Sequence, residues 1–221
     1  MHEAFQLLDG VLGPQHWWPG DTSFEVIVGA ILAQSTAWSN VEKAIANLKR
    51  EGLLAPQALS RVGLRRLASL IHSAGYFNQK AKRLKNFLSY LSRYGTLDRM
   101  FQEPTEILRE ELLAINGLGP ETVDSILLYA AGRPVFVVDA YTRRILSRHG
   151  WSDEKAAYRE LQALFDSQLP RDVRLFNQYH ALLVNVGKHY CRRKQPRCSQ
   201  CPLQPMLPDG WKRGEEDAKS R

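Results

Sequence analysis

Apolar residues recur at helical spacing along most of this 221-residue chain, and that periodicity points to an all-α fold. Phe24, Ile27, Val28, Ile31 and Leu32 share one helical face. Leu64, Leu67, Leu70 and Ile71 share another, ended near Gly75. Leu84, Phe87, Leu88 and Leu91 line a longer helix over about 78–94, and Ile107, Leu108, Leu112, Leu113 and Ile115 a further one. Asn40 is placed to cap a helix through Leu48, and residues 122–131, 139–149, 153–165 and 172–190 complete the set. The strand-like run 134–138 is short and has no evident partner. No repeat of fixed period and no Ser/Gly linker interrupts the pattern.

Composition narrows the class further. At 44% hydrophobic and 24% charged the chain is globular rather than disordered. The longest apolar run, 26–33, is interrupted by Gly29 and far short of a membrane span, so no membrane-spanning helix is expected. Met1-His2-Glu3 carries no basic signal-peptide start, which makes a cytoplasmic protein the expectation, nucleoid-associated in a prokaryote. The polar tail after Pro208 is expected to fray. Thirty Lys and Arg against 23 Asp and Glu give a net charge of +7, which admits nucleic acid, anionic membrane or acidic protein as partner. All three cysteines, Cys191, Cys198 and Cys201, crowd into one short segment. An odd number so placed argues for metal ligation over a disulfide framework.

Two motifs carry chemistry. In Leu113-Ala114-Ile115-Asn116-Gly117-Leu118-Gly119-Pro120-Glu121-Thr122 a helix ends, a Gly-x-Gly turn follows and a new helix starts. Glycines permit positive φ and close approach, and the new helix presents unpaired N–H groups to a phosphate oxygen. About twenty residues on, Val137-Val138-Asp139-Ala140-Tyr141 sets a carboxylate at a helix start, which alone would read as an N-cap.

Together these motifs resemble the helix-hairpin-helix, Gly/Pro-rich loop and Asp signature of the endonuclease III superfamily of DNA glycosylases. Phe24 through Thr36 resembles that family's second helix and following Gln loop. Gly75-Tyr76-Phe77-Asn78-Gln79-Lys80-Ala81 resembles its Gly-x-x-Asn-x-Lys-Ala segment, and the cysteine spacing the first three ligands of its iron–sulfur loop. Trp17-Trp18-Pro19, Trp38 and the segment from Asn78 to Leu84 are most similar to the 3-methyladenine DNA glycosylase III branch.

The resemblance implies a two-lobed fold. One lobe, 21–135, has six helices and the hairpin. The other, 1–20 with 136–221, has the cysteine loop. A cleft between them holds Asp139 and takes damaged double-stranded DNA, bound by a monomer. The implied activity is monofunctional excision of a flipped alkylated purine such as 3-methyladenine, with Asp139 stabilising the sugar's developing charge. Gln34 would fill the hole left by the base, Tyr76 would wedge the opposite strand, and Trp17, Trp18 and Trp38 would stack on the base. Lys80, Gly117, Gly119 and Thr122 would contact DNA, alongside basic clusters at Lys82, Arg83 and Lys85 and at Lys188, Arg192, Arg193, Lys194 and Arg197.

Two departures bear on this. Bifunctional members place a lysine two residues after the second hairpin glycine, where this chain has Glu121, so lyase chemistry is not expected. The fourth cysteine of the [4Fe-4S] loop is expected at position 207, which is Leu207. The three retained spacings favour a bound iron–sulfur cluster, with His189 or Asp209 as an unusual fourth ligand, over a Cys₃His zinc site or a loop that holds no metal. Rival functions are a glycosylase–lyase for oxidised pyrimidines or mismatched thymine, and a catalytically silent DNA-binding module.

Overall fold

The computed structural model describes residues 1–17 and 20–208, and all its regular elements are helical. Two compact units emerge, one made of Met1–Trp17 with the chain from Pro134 onward, the other of the residues between, ending at Arg133. Trp18, Pro19 and Asp209 lie outside the described residues. Among those described, no helix is long and apolar enough to cross a membrane.

The first unit opens with α1 (His2–Leu12). The other unit is built round α2 (Ser23–Leu32), in which Phe24 through Leu32 are all buried. A helix apolar on every face must lie inside the core. Thr22 caps it, accepting from the Glu25 N–H at 3.1 Å. There follow α3 (Trp38–Arg50), α4 (Pro56–Arg61), α5 (Leu64–Leu70), α6 (Phe77–Leu91), α7 (Leu97–Met100), α8 (Thr105–Leu113) and α9 (Pro120–Ser125), the last running into a π-helical turn at Ile126–Ala130. The unit thus has eight α-helices among its described residues rather than six, because α4 and α7 are too short to show a period. Helix α3 begins at Trp38, with Ala37 as its cap residue, so Asn40 is not a cap. Its side chain lies in the first turn and reaches back to Thr36 Oγ1 at 3.4 Å.

Residues 134–138 form no strand. Phe136, Val137 and Val138 are buried in an extended segment whose backbone is satisfied by side chains. Tyr158 Oη accepts from Val138 N–H at 3.2 Å, and Gln162 Nε2 donates to the Phe136 carbonyl at 2.6 Å. Those bonds replace a sheet ladder. Phe136 stacks on Phe165 with ring centroids 3.7 Å apart, and Phe176 and Tyr179 meet it edge-on.

This segment delivers the chain to α10 (Ala140–Arg148), followed by α11 (Tyr158–Asp166) and α12 (Val173–His189). Helix α11 starts later than its periodicity suggests. Asp153 Oδ1 accepts from Lys155 N–H at 2.7 Å, and that local turn competes with the helix. Helices α10 and α12 approach closely at Gly187, where a Cβ would lie 2.3 Å from the Tyr141 ring. Across that contact Arg144 donates to the Gly187 and Cys191 carbonyls at 3.0 and 2.7 Å.

Candidate catalytic and DNA-binding sites

Asp139 sits at the N-cap of α10, immediately after the buried extended segment. Its Oδ1 accepts the Thr142 N–H at 2.7 Å, and its Oδ2 lies 3.7 Å from Nε2 of His180 on α12. Both side chains are almost wholly withdrawn from solvent, with 12% and 6% exposed. A helix N-terminus favours negative charge there. Burial holds His180 below the ordinary histidine range, while the Asp139 charge pulls the other way. No motif in the sequence marks His180. The available signal was a polar residue amid Tyr179, Ala181 and Leu182 on an apolar helix.

The hairpin in the other unit joins α8 to α9 through residues 114–119. Gly117 has φ +96°, and a Cβ there would come within 2.5 Å of the Arg83 side chain, so both conformation and space require glycine. Gly119 is different: it has φ −95° with open space around it, so the turn does not demand glycine there. Gln34 donates to the Gly117 carbonyl at 3.1 Å and to Thr122 Oγ1 at 2.8 Å, while Arg83 donates to Gln34 Oε1. Gln34 is therefore tied to the hairpin instead of projecting freely. Thr122 is buried with its hydroxyl engaged, which withdraws it from direct DNA contact. Beside this network lies an open depression of about 700 Å³ lined by Gln79, Lys82, Arg83, Lys85, Asn86 and Gly117.

Lys80 is not a surface cation. Its side chain is fully buried, and Nζ donates to the carbonyls of Leu32, at the end of α2, and Ala74, at 2.9 and 2.7 Å. Burial, and then Arg83, push its pKa down to about 8. A lowered lysine can signal a nucleophile, but this one is directed at two backbone carbonyls inside its own unit. Lys85 likewise donates to Leu59 and Ser60 carbonyls, bracing α4. Tyr76, by contrast, is 66% exposed and holds φ +44° at the start of α6. Glu121 is exposed in the first turn of α9. Trp17 and Trp38 are half-buried, and Lys188 Nζ stands 5.3 Å from the Trp17 ring centroid.

The three thiols line one narrow cavity of about 10 Å³, the room of roughly one water. Leu207 and His149 complete its wall with Arg148, Tyr190 and Gln204. His189 is exposed and does not line that cavity. The Met206 carbonyl can only accept, so His149 Nδ1, 3.2 Å away, carries the proton and Nε2 is the lone-pair nitrogen. That is the arrangement that fixes the tautomer of ligating histidines. Among the described residues no group of three or more His, Cys, Asp or Glu is arranged to hold a single metal ion. By residue type alone, and not by their present arrangement, the three thiols and His149 make a Cys₃His set rather than a Cys₄ set. Arg148 donates to the Arg192 and Arg193 carbonyls at 2.7 and 3.2 Å, pinning the basic loop to α10.

A helical fold with this hairpin and an Asp-capped helix after it defines a class: the chain belongs to the HhH-GPD superfamily of base excision DNA repair proteins, whose sequence model matches residues 28–171. It is a DNA glycosylase of base excision repair. It is 48% identical over 206 residues to a Methanocaldococcus jannaschii protein named provisionally as a DNA repair glycosylase, covering 92% of this chain and 93% of that one. Endonuclease III of Thermotoga maritima is 29% identical over 199 residues, 90% of this chain and 88% of its own. Among solved structures, H. pylori 3-methyladenine DNA glycosylase bound to 1,N6-ethenoadenine superposes with a TM-score of 0.71 at 30% identity, covering 84% of this chain and 94% of that one. A non-covalent endonuclease III–DNA complex shares the fold, with a TM-score of 0.81 at 22% identity over 97% and 96% of the two chains.

Proposed function

We propose that this chain is a monofunctional glycosylase that hydrolyses the N-glycosidic bond of a flipped alkylated purine, such as 3-methyladenine, and works as a monomer in the cytoplasm. The observation carrying the reading is the seating of Asp139, held through one oxygen at the N-cap of α10 and nearly withdrawn from water. A carboxylate facing the sugar C1′ stabilises an oxocarbenium-like state and can activate water. A cationic alkylated base is already a good leaving group, so the site needs little acid catalysis. Trp17, Trp18 and Trp38 would stack on such a base, gaining dispersion and cation–π attraction. Gly117 would let hairpin N–H groups reach a phosphate, Tyr76 would wedge the duplex, and Lys82, Arg193, Lys194 and Arg197 would contact the backbone. The likeness to a 3-methyladenine glycosylase supports an alkylated purine.

Two observations favour hydrolysis over lyase chemistry. The hairpin position that would need an amine carries Glu121, and Lys80 is buried with its ammonium bonded to two carbonyls. Single-turnover assays on duplexes with alkylated or oxidised bases should release the alkylated base and leave the strand intact until alkali is added. Borohydride should trap little covalent adduct, because no imine forms. Efficient trapping, abolished by one Lys→Ala change, would overturn this and raise the oxidised-pyrimidine reading.

For the cysteine loop we propose an iron–sulfur cluster held by Cys191, Cys198 and Cys201, with His149 in place of a fourth cysteine. Support comes from the thiol spacing and from the imidazole sharing their cavity. When bound, such a group would order the basic loop and supply no atom to the glycosidic bond. Protein purified without air should carry iron and acid-labile sulfide, both lost in Cys198→Ser and diminished in His149→Ala. Full iron retention by His149→Ala would assign the fourth position to another donor.

A further inference from the structure

We infer that His180 is a positioning residue for the Asp139 carboxylate, an inference that rests on reading Asp139 as the catalytic group. The cap bond from Thr142 N–H secures only Oδ1. The other oxygen, Oδ2, is the one nearest His180 Nε2, at 3.7 Å. In free enzymes catalytic hydrogen bonds often run long and tighten only when substrate binds. A single bond to one oxygen leaves the carboxylate plane free to turn, and a donor at the second oxygen sets that plane.

The approach of the two side chains is built into the packing of α10 against α12. Contacts step in the same direction along α10 and along α12 with the loop that follows it, from Asp139 with His180, through Tyr141 with Gly187, to Arg148 with Arg192. Gly187 lies two helical turns after His180 and therefore on the same face of α12. Its missing side chain admits the Tyr141 ring, and Arg144 clamps the end of α12 through the Gly187 and Cys191 carbonyls. The register that seats Tyr141 on Gly187 also brings His180 to the start of α10. Burial disfavours imidazolium there, against the pull of the Asp139 charge, and the neutral ring in its Nε2–H tautomer would donate to Oδ2 without bringing a second charge to the sugar.

The test uses the full chain and duplex DNA treated with a methylating agent, reading single-turnover release of methylated base. His180→Leu fills the buried space without a donor. His180→Gln keeps an N–H at similar reach. A misaimed catalytic group can cost on the order of 10²-fold, so the Leu variant should slow release roughly 10- to 100-fold, with duplex affinity held. The Gln variant should stay within severalfold of wild type. Because His180 acts through Asp139, adding His180→Leu to Asp139→Asn should slow release no further. Equal slowing by Leu and Gln, or the same Leu penalty in both backgrounds, would mark His180 as merely structural and overturn the inference. So would a Leu variant as fast as wild type. If Asp139→Asn alone were as fast as wild type, the catalytic reading of Asp139 would fall first, a distinct result.

Discussion

Asp139→Asn should lower the single-turnover rate of base excision by roughly 10²-fold or more, the scale seen when one electrostatic stabiliser is removed from a transition state. The substitution is informative because it is structurally quiet. Asparagine caps a helix about as well as aspartate, so its side-chain oxygen can keep the 2.7 Å bond from the Thr142 N–H and α10 should remain intact. What disappears is the charge. Duplex affinity should therefore hold or rise, since one repulsion toward phosphate is gone. Asp139→Ala would confound the two effects, costing about 1 kcal/mol of cap stability as well. Rapid-quench measurement of both variants separates them. An Asn variant releasing base at near wild-type rate would remove Asp139 from the chemistry.

The helical architecture was legible because apolar spacing is a local property. Elements whose formation is decided by distant partners were not. The run 134–138 has strand composition, yet its backbone pairs with side chains, Val138 N–H donating to Tyr158 and the Phe136 carbonyl accepting from Gln162. Asp139 could be found from its place after that run and before a helix. Its neighbour His180 could not, since 41 residues separate them and only the packing of α10 on α12 joins them. His149 was missed for the same reason: it faces the thiols only because α10 ends against their loop. Gln34, Arg83 and Gly117 were each visible as candidates, while the network binding them together was not.

Lys80 was misread in the other direction, although the signal was present. The buried face of α6 runs through Lys80, Ala81, Leu84, Phe87, Leu88 and Leu91, so helical period alone puts Lys80 on the core side, while Lys82 and Asn86 fall on the exposed side. A run of basic residues is easily read as one solvated face, and the period divides it.

Lys80→Met tests the resulting assignment. Methionine keeps much of the apolar stem and removes the ammonium, leaving the carbonyls of Leu32 and Ala74 buried without that donor. An unsatisfied buried polar group costs about 1–3 kcal/mol, so two of them should lower unfolding stability by roughly 2–5 kcal/mol in denaturant titration. The charge itself was costly to bury, as its lowered pKa indicates, and that relief keeps the loss below what the two carbonyls alone would suggest. Below its melting range the variant should still excise base at close to the wild-type rate, because Lys80 touches neither sugar nor phosphate in this assignment. A Lys80→Met protein as stable as wild type would mean that the bonds to Leu32 and Ala74 contribute nothing. A folded variant that had lost a borohydride-trapped adduct would instead make Lys80 the nucleophile, with its side chain released from the core in the DNA complex.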